Sequence, residues 1–231
     1  MSEQIGRREL MGVAAAVAGA AVAVGGSAAA QEASAKRKIV GISCSPRKGM
    51  TTAAGLTVCL EAAKEHDAGV ETELIEVADL SIPAQLAAGQ PLKEGETDDF
   101  PMIAEKLSDP AVAGIVVGSP VYFGNMSALC KAFLDRCIVL RKSGFKLAGK
   151  VAGALAVGGT RNGGQELTVQ SIHTGLMGQN VIITGTAQPS VRIGATLWNQ
   201  ENSIEGDEFG LGTARDLGKR IAELTRAGED V

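Results

Sequence analysis

Residues 111–120 read AVAGIVVGSP, a run without a charge and almost wholly apolar. A strand with one wet face alternates apolar and polar side chains, so an unbroken apolar run marks a strand covered on both faces. Such strands belong to parallel sheets with helices above and below. KVAGALAVGG at residues 150–159 has the same character, and the segments around these two complete the scheme. KRKIVGISCS (36–45) is a charged lead into an apolar strand. TTAAGLTVCLEAAKEHDAG (51–69) follows as a helix, with Leu56, Cys59, Leu60 and Ala63 at helical spacing. VETELIEV (70–77) alternates as a strand, and the stretch after it is irregular, then briefly helical over 100–107. SALCKAFLDRCIVL (127–140) is expected as one helix whose apolar face holds Leu129, Phe133, Cys137 and Leu140. GQELTVQSIHTGLMG (164–178) reads as a helix, NVIITG (180–185) as the last strand and GDEFGLGTARDLGKRIAELTRAG (206–228) as the closing helix. Five strands alternate with five helices. That predicts one α/β domain over residues 36–231, a three-layer sandwich around a five-stranded parallel sheet with right-handed crossovers.

Composition narrows the partners. With 231 residues, 45% hydrophobic and 21% charged, the chain can bury a core of ordinary size. Its net charge is -4 and its cations are scattered, so nucleic acid is not an expected ligand. Residues 1–35 stand apart. Arg7 and Arg8 precede an uncharged Ala/Val/Gly stretch from Leu10 to Ala30, and small residues follow at 28–30 and 33–35. These are the charged, apolar and cleavage regions of an export signal, and the arginine pair resembles the twin-arginine type. A periplasmic or otherwise exported mature chain beginning near Gln31 or Lys36 is expected. The stretch is also long enough to span a bilayer, so a retained, membrane-anchored form and a buried N-terminal helix are the alternatives. The four cysteines, Cys44, Cys59, Cys130 and Cys137, contain no CxxC pair. Cys130 and Cys137 lie about 10 Å apart along a helix, too far for a disulfide, and all four are expected as buried free thiols.

In open parallel sheets, ligands sit beyond the carboxyl ends of the strands. Three segments fall at such ends. SCSPRKGMTT (43–52) offers the hydroxyls of Ser43, Ser45, Thr51 and Thr52, amides around Gly49 and the N-H groups of a starting helix. A phosphate monoester fits there, with Arg47 or Lys48 at the rim. The segment lacks the GKS or GKT ending of a P-loop and the GxGxxG of dinucleotide folds. A plain strand-to-helix turn with capping hydroxyls is the competing reading. GSPVYFGNMSA (118–128) supplies the flat surfaces of Tyr122 and Phe123, with Pro120 stiffening the strand exit and Gly124 turning the backbone beside a planar group. Core or surface filler is the alternative for either aromatic. GGTRNGGQE (158–166) places Thr160, Arg161 and Asn162 among glycines, so its backbone can approach a ligand closely, or it is a structural turn. Together the three loops can enclose a phosphate tail and a polar-edged ring. FMN fits better than a nucleoside triphosphate, for which no convincing magnesium ligand is present.

GISCSPRKGMTT, GIVVGSPVYFGNMSALCKAFLDR, GGTRNGGQE and GDEFGLGTARDLGKRIAEL resemble the corresponding segments of the flavodoxin-like NAD(P)H-dependent FMN reductases, especially the branch containing the iron-sulfur flavoproteins. The likeness covers nearly the whole chain after about Lys38. It implies a flavodoxin-like sheet in the order 2-1-3-4-5. It also implies an FMN-dependent oxidoreductase that takes a hydride from NADPH or NADH and reduces a quinone, flavin, metal ion or other small acceptor. The FMN phosphate would lie at Ser43, Ser45, Arg47, Met50, Thr51 and Thr52. The isoalloxazine and ribityl chain would lie at Pro120, Val121, Tyr122, Phe123, Gly124 and Asn125, and the ring's polar edge at Thr160, Arg161, Asn162, Gly163 and Gly164. A homodimer or homotetramer with flavin sites near subunit borders is implied as well. Two departures matter. SIPAQLAAGQPLKEGETDD (81–99) has no cysteine where the iron-sulfur branch clusters them, so no cluster is expected there. Met50-Thr51 stands where relatives carry a glycine and an asparagine before the final threonine, which removes a side-chain amide.

The flavin carries the chemistry in this reading, so no side chain is assigned as a proton-transfer base and no metal ligand is named. Export would separate the chain from nicotinamide cofactors. An exported electron carrier fed by a redox protein or quinol is therefore the alternative, and a binding protein with a degenerate site the third. Trp198, in ATLWNQENSIEGDE after the last strand, lines a substrate or subunit surface or simply packs. Asp207 and Glu208 read as capping and first-turn residues of the closing helix. His173 is expected as a core or surface helix residue, and His66 as solvent-facing.

Overall fold

The two apolar runs form the middle of a parallel sheet. The computed structural model describes residues 36–227, and the expected export segment lies outside them. The strands are β1 (Arg37–Ser43), β2 (Val70–Glu76), β3 (Val112–Tyr122), β4 (Asn125–Met126), β5 (Val151–Gly158), β6 (Ile182–Ile183) and β7 (Ala195–Trp198). The parallel path runs β2-β1-β3-β5-β6. Counted over its five members in chain order, that is the flavodoxin-like 2-1-3-4-5. All eight residues of β5 are buried, as its unbroken apolar run requires.

The helices are α1 (Thr51–His66), α2 (Phe100–Ser108), α3 (Ala128–Arg136), α4 (Ile138–Lys142), α5 (Gln165–Met177) and α6 (Glu208–Ala227). Strand periodicity splits β1 between two cores. Val40 and Ile42 pack with Phe100, Phe133 and Ile172 from α2, α3 and α5. Ile39 packs on the other face with Leu56, Leu217 and Ile221 from α1 and α6. The latter two helices approach so closely that a Cβ on Gly218 would collide with the Cys59 carbonyl.

Three expectations need correction. The helix foreseen over 127–140 divides at Cys137, whose ψ of -8° is far from the helical value near -42°. The segment foreseen as a loop at 118–128 is instead a hairpin, with β3 running on to Tyr122 and β4 returning antiparallel. The last strand is discontinuous. Only Ile182 and Ile183 pair with β5 before the chain leaves the sheet, and it returns as β7 against Leu155–Gly158 of β5. The excursion closes on itself through Thr186 N donating to Arg192 O at 2.9 Å.

Polar contacts hold the cysteine-free segment. Arg136 donates to both carboxylate oxygens of Asp98 at 2.8 Å and to Pro83 O at 3.2 Å, and its guanidinium lies 4.9 Å from the Phe100 ring centre. That guanidinium keeps the Asp98 carboxyl below its ordinary range. All four cysteines are buried and free. Burial pushes the Cys59 thiol up to about 12 and raises Cys44 and Cys137 as well, so these three are protonated at neutral pH. Among the described residues, no group of three or more His, Cys, Asp or Glu could hold a metal ion, and no helix is long and apolar enough to cross a membrane.

Candidate functional site

The β1-to-α1 turn brings the expected hydroxyls to the carboxyl end of the sheet. Ser43 ends β1, paired with Gly118 on one side and Glu76 on the other, and its buried Oγ has no hydrogen-bond partner. Thr51 and Thr52 are buried in the first turn of α1. Met50 is the N-cap residue and makes no side-chain cap bond, so the first-turn amides lack both an intrahelical and a capping acceptor. Uncapped amides at a helix terminus favour an anion there. The other members of the segment are engaged locally. Ser45 Oγ bonds the backbone of Arg47, Lys48 pairs with Asp79 at 2.8 Å, and Gly49 N donates to Glu76 at 2.7 Å. Arg47 reaches Asn202 Oδ1 at 2.8 Å, tying this turn to the loop after β7.

The second segment presents its aromatics on a hairpin. Phe123 and Gly124 form the two-residue turn, both at positive φ (51° and 72°), as a type I′ connection requires. Tyr122 is 45% exposed and Phe123 is fully exposed, while Pro120 and Val121 are half-buried. Asn125 Oδ1 accepts from Met126 N at 2.8 Å. Two serines anchor this hairpin to the first turn. Ser127 N donates to Ser119 Oγ at 2.9 Å, and Ser127 Oγ donates to Cys44 O at 2.7 Å while capping α3 through Cys130 N.

The glycine loop closes against the hairpin. Gly164, at φ 101°, lies where an added Cβ would sit 2.9 Å from Gly124 Cα, so the two backbones touch. Gln165 shapes the loop from below: its carboxamide accepts from Gly163 N at 2.7 Å and donates to Thr160 O at 2.7 Å and Leu197 O at 3.2 Å. Asn162 is exposed at φ 59°. The Arg161 guanidinium pairs with buried Asp207, which also accepts from Trp198 N at 2.6 Å and caps α6 through Gly210 N at 2.9 Å. The capping expectation for Asp207 is met, and Trp198 sits in β7 with its indole N-H donating to Gly159 O at 3.2 Å. A recess of about 430 Å³ opens between Gly159 and residues 198–201. Asn199 Oδ1, at its wall, is buried without a hydrogen-bond partner.

All three expected segments therefore meet at one end of the sheet. The sequence reading missed Ser119, Ser127, Gln165 and Asn199. A serine before a helical run is a cap signal that marks Ser127. Nothing local marks Gln165 or Asn199, whose places depend on β7.

Comparisons with known proteins identify the family. The profile of the family described as NADPH-dependent FMN reductase matches residues 37–195. The chain is 39% identical over 193 residues to an iron-sulfur flavoprotein of Methanocaldococcus jannaschii, covering 82% of this chain and 97% of that one. It is 34% identical over 174 residues to an NAD(P)H dehydrogenase (quinone) of Chromohalobacter salexigens, covering 68% and 83%. Among solved structures, an oxidoreductase from Corynebacterium diphtheriae matches with a TM-score of 0.60 at 22% identity, covering 84% of this chain and 99% of that one, and shows the same fold. With the profile spanning more than half of its length and a 39% identical relative matched over 82% of it, the chain belongs to the NADPH-dependent FMN reductase family of FMN-binding oxidoreductases.

Proposed function

We propose that the chain holds FMN across the carboxyl ends of β1, β3 and β5, takes a hydride from NADPH or NADH and reduces a small quinone-type acceptor. The observation that carries this reading is the start of α1, whose first-turn amides have no side-chain cap and which follows the strand that ends in the partnerless Ser43 hydroxyl. A phosphate monoester gives both of them acceptors. Arg47, bonded to the neutral Asn202, adds positive charge at the rim, while the charge of Lys48 is matched by Asp79. The Tyr122–Phe123 hairpin and the loop over 159–164 supply two walls for a ring, with Asn199 Oδ1 as a spare acceptor nearby. FMN, when bound, supplies hydride acceptance and electron transfer, while the protein holds the ring and sets its surroundings. The name of the Chromohalobacter relative supports a quinone as acceptor.

Further parts of the reading rest on exposure and on residues 1–35. The fully exposed Phe123 supports a homodimer or homotetramer that covers the hairpin tip. The arginine pair and apolar stretch support export, or anchoring if the segment is retained. An exported chain would draw on a redox protein or quinol. The test is anaerobic mixing of the FMN-loaded protein with NADPH and, separately, NADH. Loss of the flavin's visible absorbance, restored by a soluble quinone, is the expected result. No loss with either donor contradicts the donor; loss without recovery contradicts the acceptor.

A further inference from the structure

A cavity of about 470 Å³ opens beside the glycine loop, at the sheet edge where β6 and β7 leave a gap. Its apolar walls are Phe209 from α6 with Val191 and Ile193 from the excursion between the two strands. Phe209 is 51% exposed and Val191 65% exposed, so large apolar surface is left open around a concavity. Two guanidiniums flank the Phe209 ring, Arg161 at 5.5 Å and Arg192 at 5.7 Å from its centre. They are not equivalent. The charge of Arg161 is matched by Asp207, whereas Arg192 makes no ion pair among the described residues. Glu166, in the first turn of α5, is the one carboxylate in the lining.

The excursion is held in a costly conformation. Val191 has φ 44°, a region that β-branched residues avoid. A closed network keeps it there: Arg192 N donates to Thr186 Oγ1 at 2.7 Å, Ser190 Oγ to the same oxygen at 2.8 Å, and Ser190 N to Asp216 at 3.2 Å. Strain of this kind gathers at ligand clamps. Here it fixes an apolar side chain and an unpaired cation side by side at a cavity wall.

We propose that this cavity binds a flat ring bearing an anionic group, with the ring on Phe209 and the anion on Arg192. Glu166 opposes an anion on the α5 side, which leaves Arg192 as its place. The inference deepens the proposed function, because the cavity shares Arg161 and Asn162 with the glycine loop and so adjoins the flavin ring of that reading. Two reactants carry this chemistry: the phosphorylated adenosine end of NADPH and an anionic aromatic acceptor.

Calorimetric titration of the FMN-loaded protein with adenosine 2′,5′-bisphosphate and with anthraquinone-2-sulfonate distinguishes them. Binding of the first assigns the cavity to the donor, and binding of the second assigns it to the acceptor. Adenosine, which keeps the ring without the phosphate, should bind at least about tenfold more weakly than the bisphosphate if the donor is the occupant. Arg192→Gln should weaken whichever probe binds by about tenfold or more, with flavin content unchanged. Phe209→Ala should weaken it as well. The proposal is overturned if neither probe binds the wild type, or if Arg192→Gln leaves the affinity unmoved. Since the titration needs no turnover, a protein that binds a probe yet fails to oxidise NADPH loses the proposed donor and keeps the cavity.

Discussion

Ser43 separates what the fold requires from what a ligand requires. Its hydroxyl is fully buried and unpartnered, and such an orphan costs about 1–3 kcal/mol. Ser43→Ala removes that cost, so the ligand-free protein should be as stable as wild type or more so, by about 1 kcal/mol. FMN affinity should fall about tenfold, the worth of one hydrogen bond to a charged group. Urea melts of the ligand-free protein together with flavin titration check both; a clear loss of ligand-free stability would place the hydroxyl in the fold's own network. His173 makes a different prediction. It is 9% exposed with Nε2 unpartnered, and burial lowers its pKa from 6.5 to about 4. Between those values the unfolded chain binds a proton that the folded chain does not. Stability therefore falls as pH drops from 6.5 towards 4, by at most about 1.4 kcal/mol per pH unit, and His173→Leu should flatten that slope in urea melts. That Ser45 and Thr51 lie in the turn between β1 and the start of α1 was legible, because an apolar run, a polar break and a helical period follow one another there. Gln165 was not, since its partner Leu197 O lies on a strand that comes 32 residues later.

At the scale of elements, two connections decide the shape of the site, and each was hidden from the sequence for a physical reason. The β3–β4 turn places Phe123 at positive φ, where a bulky residue is uncommon, and lacks the Asn-Gly order that announces such turns. β7 is four residues long and pairs with β5 only because the excursion between 184 and 194 returns the chain to the edge. The long apolar strands and helices α1, α5 and α6 were readable, because their periods persist over enough residues to exclude the alternatives. The contact between hairpin and glycine loop gives the prediction at this scale. Gly164→Ala puts a methyl group against Gly124 Cα and adds the strain of φ 101°. The hairpin should move away from the loop, with at least about tenfold weaker FMN binding and a retained far-ultraviolet circular dichroism spectrum. Unchanged affinity would show that the two walls need not touch.

Across the whole molecule, strand order decides where the site forms. With β1 between β2 and β3, and β3 beside β5, segments that begin at residues 43, 118 and 158 reach the same end of one sheet. That convergence follows from an alternation of strands and helices readable in the sequence, while the loops' contacts with one another are not. The phosphate of FMN is expected at the start of α1. Titration of the ligand-free protein with FMN and with riboflavin, read by quenching of flavin fluorescence, tests it most directly because the two differ only in that phosphate. FMN should bind at least about a hundredfold more tightly, the worth of two charge-assisted hydrogen bonds. Equal affinity for the two flavins would contradict it.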